Sequence, residues 1–226
     1  MRRFVGIAVA LLLLFLVGCS GMPRGYWPVL PSPVTQKAKA RKVCIRMEGK
    51  EAKKYTLKLS LYPSRLSFVC MKPNVDYELK KYIRSELSDF KEVYFLGPKD
   101  KVPRGCYLVA LSWENSYRGY IKGGLGLFGR TYVIGGRIKG TLDGKKGAYD
   151  CSVAGWDVVS EGDLHGPEGY VCKDSPAEVF FNKVATKLAY KMALRVRRAL
   201  LEDMGYPPSP GLVAADERMA KELKEW

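Results

Sequence analysis

Residues 175–205 constrain the fold more than any other stretch of the chain. Ser175-Pro176-Ala177-Glu178 has the form of a capping box with proline at the first helical position, and Gly205 with Pro207 and Pro208 forms a stop. Between these signals Val184, Leu188, Met192, Val196 and Leu200 recur every fourth residue. A long helix with one continuous apolar stripe is stable only under another layer, so the rest of the chain must supply a cover. Lys183, Lys187, Lys191 and Arg195 make a second stripe at the same spacing. It reads as a solvated basic face, or as a contact surface for a partner or for anionic headgroups.

The cover is sought upstream. Val43-Cys44-Ile45-Arg46-Met47 and residues 55–61 alternate as half-buried strands do, the second with Leu57, Leu59 and Leu61 on one face. Residues 65–71 are a third candidate strand. Asn74 or Asp76 caps a helix that runs to about Phe90 with Leu79, Ile83 and Leu87 on one side. Residues 92–96, 106–113, 130–142 and 148–156 read as further strands, with a turn opened by Asp143-Gly144. Beyond the prolines, Ala215, Met219, Leu223 and Trp226 mark a short amphipathic helix. This order predicts an α+β fold, a largely antiparallel sheet with helices packed on one face. Residues 43–206 form the expected domain, and residues 207–226 a Pro-rich break followed by the last helix.

With 47% hydrophobic and 27% charged residues, the chain has the balance of a globular protein rather than a disordered one. Lys and Arg number 38 against 23 Asp and Glu, a formal +15 that by itself suits nucleic acid or anionic surfaces. A single histidine argues against a His-rich metal site.

The N-terminus decides between these partners. Arg2 and Arg3 precede an apolar run of 14 residues, 4–17. That is short of the roughly 20 residues needed to span a bilayer and has the form of a signal-peptide core. Leu16-Val17-Gly18-Cys19 resembles the lipobox of bacterial lipoproteins. The resemblance implies that residues 1–18 are a signal peptide recognised through Leu16, Val17 and Gly18. It also implies diacylglycerol on the Cys19 thiol and a further acyl chain, such as palmitate, on the new amino group. At about 0.8 kcal/mol per buried CH₂, two or three chains hold the protein on the membrane where one would not. Ser20, rather than Asp, resembles lipoproteins sent to the cell outer membrane, so the expected location is a periplasm-facing anchor there. Losing Arg2 and Arg3 lowers the formal charge by only two, so the basicity belongs to the mature chain. Residues 19–42, with Pro23, Pro28, Pro31 and Pro33, read as an extended tether. Export excludes nucleic acid as a partner.

Export also sets the expectation for the cysteines. Cys44, Cys70, Cys106, Cys151 and Cys172 remain after Cys19, none in C-x-x-C spacing, and an oxidising compartment favours disulfides. Cys151 with Cys172 is the first pairing expected and Cys70 with Cys106 the second.

Gly124-Leu125-Gly126-Leu127-Phe128-Gly129 matches G-x-G-x-x-G, but the β-rich segment after it supplies no helix for a phosphate. A hairpin connection accounts for it better, and no cofactor or metal is expected. Gly124, Leu125, Leu127 and Phe128 would then form an exposed apolar contact, unless they fold back into the core. His165, near Asp163, reads as a turn residue, since no nucleophile motif accompanies it. The strand at 65–71, the helix ending in Phe90-Lys91-Glu92-Val93, the Gly-rich β region and the terminal Ala-Thr-Lys-Leu-Ala helix resemble periplasmic domains of envelope-assembly and transport-accessory lipoproteins. Those families include the curli-secretion lipoproteins and the amino-terminal domain of the Tol–Pal translocation protein. The function expected is non-catalytic: envelope assembly or transport by binding a protein partner. The alternatives are a binding module for anionic lipid or glycan, and an envelope hydrolase using His165.

Overall fold

The computed structural model describes residues 36–50, 55–60, 65–70, 75–123, 131–160 and 176–226. A single helical turn, α1 (Gln36–Lys39), leads into β1 (Lys42–Lys50), which lies between two parallel neighbours. On one side Val43 aligns with Val93 of β4 (Glu92–Leu96), and on the other with Tyr107 of β5 (Cys106–Gly123). Between β1 and β4 come an antiparallel ribbon, β2 (Tyr55–Ser60) with β3 (Arg65–Cys70), and the helix α2 (Val75–Glu86). A parallel pair requires such a crossover, because a tight turn only returns a strand antiparallel.

The second half of the sheet is antiparallel. β5 folds back on β6 (Thr131–Asp143), with a shift in register between Ile121 and Gly123. β6 then pairs with β7 (Ala148–Asp150) near its end and with β8 (Val153–Ser160) near its start. The six-stranded sheet is therefore mixed, which corrects the largely antiparallel expectation while keeping the α+β class. Alternation along a segment tells which face is buried; it does not tell which way the neighbouring strand runs.

Register divides the sheet into two faces. Val43, Ile45 and Met47 align with Tyr107, Val109 and Leu111, and Leu111 aligns with Leu142 of β6. All of these are buried. Against them lies α3 (Pro176–Met204), whose Val184, Leu188, Met192, Val196 and Leu200 are completely buried, as the spacing predicts. Each such side chain contributes about 2 kcal/mol on leaving water, so this stripe carries much of the core. α2 adds Leu79 and Ile83 beside α3, and the rings of Tyr82 and Tyr190 meet edge to face at 5.6 Å. α4 (Pro210–Glu225) is capped by Ser209, whose Oγ accepts from the Leu212 N–H, and it buries Leu212, Ala215 and Met219 in the same core. Among the described residues no helix is long and apolar enough to cross a membrane.

The opposite face carries the disulfide. Cys44 bonds to Cys106, joining β1 to the start of β5 across 62 residues. This overturns the pairing of Cys70 with Cys106: Cys106 stands beside Lys42 in register, diagonal to Cys44, with Cα atoms 5.8 Å apart. Cys151 is a free, buried thiol, which also overturns its pairing with Cys172. It follows β7, where its N–H donates to the Gly140 carbonyl, and burial pushes the thiol up to about 12. At that value it stays protonated and inert.

Candidate functional site

Charged side chains are grouped on both faces of the sheet, in opposite states. On the helix side they are inside the protein. Lys191, only 2% exposed, donates to the Ala154 carbonyl at 2.9 Å and pairs with Glu222 of α4. Burial lowers its pKa, and Glu222 acts against the shift. Arg195 donates through Nε to Asp216 at 2.7 Å and through its guanidinium to the Ser152 carbonyl. Arg198 reaches the second Asp216 oxygen and donates to Glu202 at 2.8 Å. Arg197 holds Asp89 in a two-pronged pair at 2.9 and 2.8 Å, tying α3 to the turn after α2.

These contacts correct the reading of the basic stripe as a contact surface. Lys183 is exposed and Lys187, partly buried, donates to the Trp156 carbonyl at 3.3 Å, but Lys191 and Arg195 are structural. The reason is helical geometry. With 3.6 residues per turn, positions four apart drift by about 40° per step, so a stripe from Lys183 to Arg195 winds about 120° around the helix. It begins in solvent and ends under α4.

Asp203, near the end of α3, was not singled out by sequence reasoning. Its carboxylate accepts from the Tyr107 hydroxyl at 2.6 Å, the Lys145 N–H at 2.9 Å, the Lys146 N–H at 2.7 Å and the Tyr149 hydroxyl at 3.3 Å. It thereby pins the turn between β6 and β7 to the helix. Burial acts to raise its pKa, yet the hydrogen bonds from Tyr107, Lys146 and Lys145 prevail and hold it below the usual 3.8. Gly144 is required here: a Cβ at that position would sit 2.3 Å from the Asp203 carboxyl carbon.

The open face presents a different arrangement. Lys50 and Glu48 of β1, Ser112 and Glu114 of β5, and Arg137, Lys139 and Thr141 of β6 line an open depression of about 560 Å³. Register places these side chains on one face, because Ser112 aligns with Glu48 and Thr141, and Glu114 with Lys50 and Lys139. Lys139 and Glu114 approach at 3.5 Å. Arg137 is partly buried, and its Nε, like that of Arg46, is shut off from solvent without a hydrogen-bond partner among the described residues. Higher on the same face, the Trp226 ring covers Gly135, where a Cβ would meet it at 2.2 Å, and Arg118 stacks over that ring at 3.9 Å. Trp226, which follows α4, thus reaches the same face of the sheet as Arg137.

Among the described residues no cluster of three His, Cys, Asp or Glu side chains is placed to hold a metal. Leu16, Val17, Gly18, Cys19, Gly124, Leu125, Leu127, Phe128, Asp163, His165 and Cys172 lie outside the described residues.

No family model matches the chain, and no curated protein matches it. Solved structures of similar shape include a minor lipoprotein from Acinetobacter baumannii, at 10% identity and a TM-score of 0.43, covering 71% of this chain and 95% of the other. A putative neuraminyllactose-binding hemagglutinin homolog from Helicobacter pylori is similar at 11% identity and a TM-score of 0.42, covering 85% and 97%. A protein of the DUF330 family from Xanthomonas campestris is similar at 9% identity and a TM-score of 0.37, covering 76% and 95%. At such scores the functional reading rests on this chain's own residues.

Proposed function

We infer that the chain is a lipid-anchored protein of the bacterial cell envelope whose folded part works by binding rather than by chemistry. One observation of the structure carries the reading: the Cys44–Cys106 disulfide. Such cross-links persist in oxidising compartments and are rare in the cytosol, so the bond supports the export that the lipobox around Cys19 implies. Residues 19–42 then tether the domain to the membrane, with the outer membrane as the expected site because Ser20 follows the anchor. The partner is an envelope protein engaged in assembly or transport. Lys191, Arg195 and Arg197 are committed to internal pairs, which leaves the contact with the partner to other surfaces.

Intact-mass measurement of the protein from its native cells tests this. The expected species begins at Cys19 and carries the mass of two or three acyl chains. A species that retains Met1, or one trimmed without added acyl mass, overturns it.

A further inference from the structure

Among the described residues Arg137 differs from the arginines of the helix layer in holding no carboxylate. Arg195, Arg197 and Arg198 each hold a carboxylate. Arg137 lies on the open face of β6, lines the 560 Å³ depression, and has a buried Nε that, like that of Arg46, finds no acceptor among the described residues. An unsatisfied buried donor costs about 1–3 kcal/mol, and more when charged, so such a group calls for an acceptor from outside. A guanidinium supplies a planar fork that fits a carboxylate or other oxyanion on two sites at once.

The remaining lining narrows the ligand. Lys50, Arg137 and Lys139 face Glu48 and Glu114, which leaves a single net positive charge in the depression. That balance favours a monoanion and disfavours a polyanion, whose extra charge the two glutamates would repel. The glutamates are acceptors, and the hydroxyls of Ser112 and Thr141 both donate and accept, so the rest of the ligand offers hydroxyl groups. The volume lies within the roughly 300–1,000 Å³ range of small-ligand sites. We propose that the open face of the sheet is a binding site for a small hydroxylated monoanion of the sugar-acid class, with Arg137 as the anchor of its carboxylate. This site lies on the folded domain and does not involve the acyl anchor.

Calorimetric titration of the full-length protein in detergent micelles, with glucuronate as the probe, tests the site. Saturable binding is expected, weakened at least about tenfold, or about 1.4 kcal/mol, by Arg137→Met. Lys50→Met, which alters an exposed side chain, weakens it by a smaller factor. Glucose, which lacks the charge, shows no saturation, and inorganic phosphate binds more weakly than glucuronate. The site is overturned if glucuronate does not bind, if glucose binds equally, or if both variants bind as the parent does. Phosphate binding as tightly as glucuronate overturns the hydroxylated-acid assignment. None of these failures alters the mass expected at Cys19, so the two readings fall separately.

Discussion

The two faces of the sheet use the same kinds of side chain to opposite ends. Under the helices, Arg195 and Lys191 are buried and fully paired, and their carboxylate partners come from a helix that follows in sequence, α4. On the open face, Arg137 is partly buried, and it holds no carboxylate and its Nε finds no acceptor among the described residues. The difference teaches that a charge is assigned to structure or to function by whether the chain itself satisfies it. A buried pair adds little net stability over an apolar pair, but breaking it strands a charge. An unsatisfied guanidinium, in contrast, is a standing cost that binding removes.

The largest expected effect breaks the helix side of this comparison. Asp216→Ala removes the carboxylate shared by Arg195 and Arg198, leaving Arg198 with Glu202 and Arg195 with Asp150 at 3.5 Å, and it is expected to cost about 3 kcal/mol in urea unfolding followed by circular dichroism. A loss under about 1 kcal/mol would show that water compensates there and that the two faces are less different than drawn.

A smaller effect is expected at Asp203. Asp203→Asn exchanges an acceptor for a donor against two hydroxyls and two N–H groups, at a cost of about 2 kcal/mol at neutral pH. Its carboxyl titrates below its unfolded value, so its contribution is complete above that value and is lost as pH falls through the folded one. The parent protein should therefore lose stability below about pH 4 more steeply than the Asn variant. Parallel acid unfolding curves would remove Asp203 from the account.

The smallest effect sharpens the open side. Arg137→Met deletes a charge that contributes no internal hydrogen bond, so thermal unfolding should be unchanged or raised by up to about 1 kcal/mol. A clear loss of stability would place Arg137 with the structural arginines and remove the contrast between the faces.

Much of the architecture was legible in the residues. The fourfold spacing of Val184, Leu188, Met192, Val196 and Leu200 identified the central helix, and all five are buried. The break at Pro207 and Pro208, and the short helix after it, were legible for the same local reasons. Strand direction was not, because the parallel pairing of β1 depends on a crossover that alternation does not record. The candidate site was half legible. Ile134, Ile138 and Leu142 alternate against Arg137 and Lys139, which already separates a buried face from a polar one. That alternation was the signal available for Arg137.

By itself the sequence determined what is local: where helices start and stop, which side of each element is apolar, and the lipobox expected to direct Cys19 to a membrane. Tertiary structure alone decided the pairings. Cys44 rather than Cys70 reaches Cys106 because two parallel strands bring them within 5.8 Å. Lys191 and Arg195 leave solvent because α4 covers the side of α3 to which their stripe has turned. Spacing along a chain fixes angles within one element. Which charge meets a partner and which is left open depends on distances between elements, and those exist only once the layers have packed.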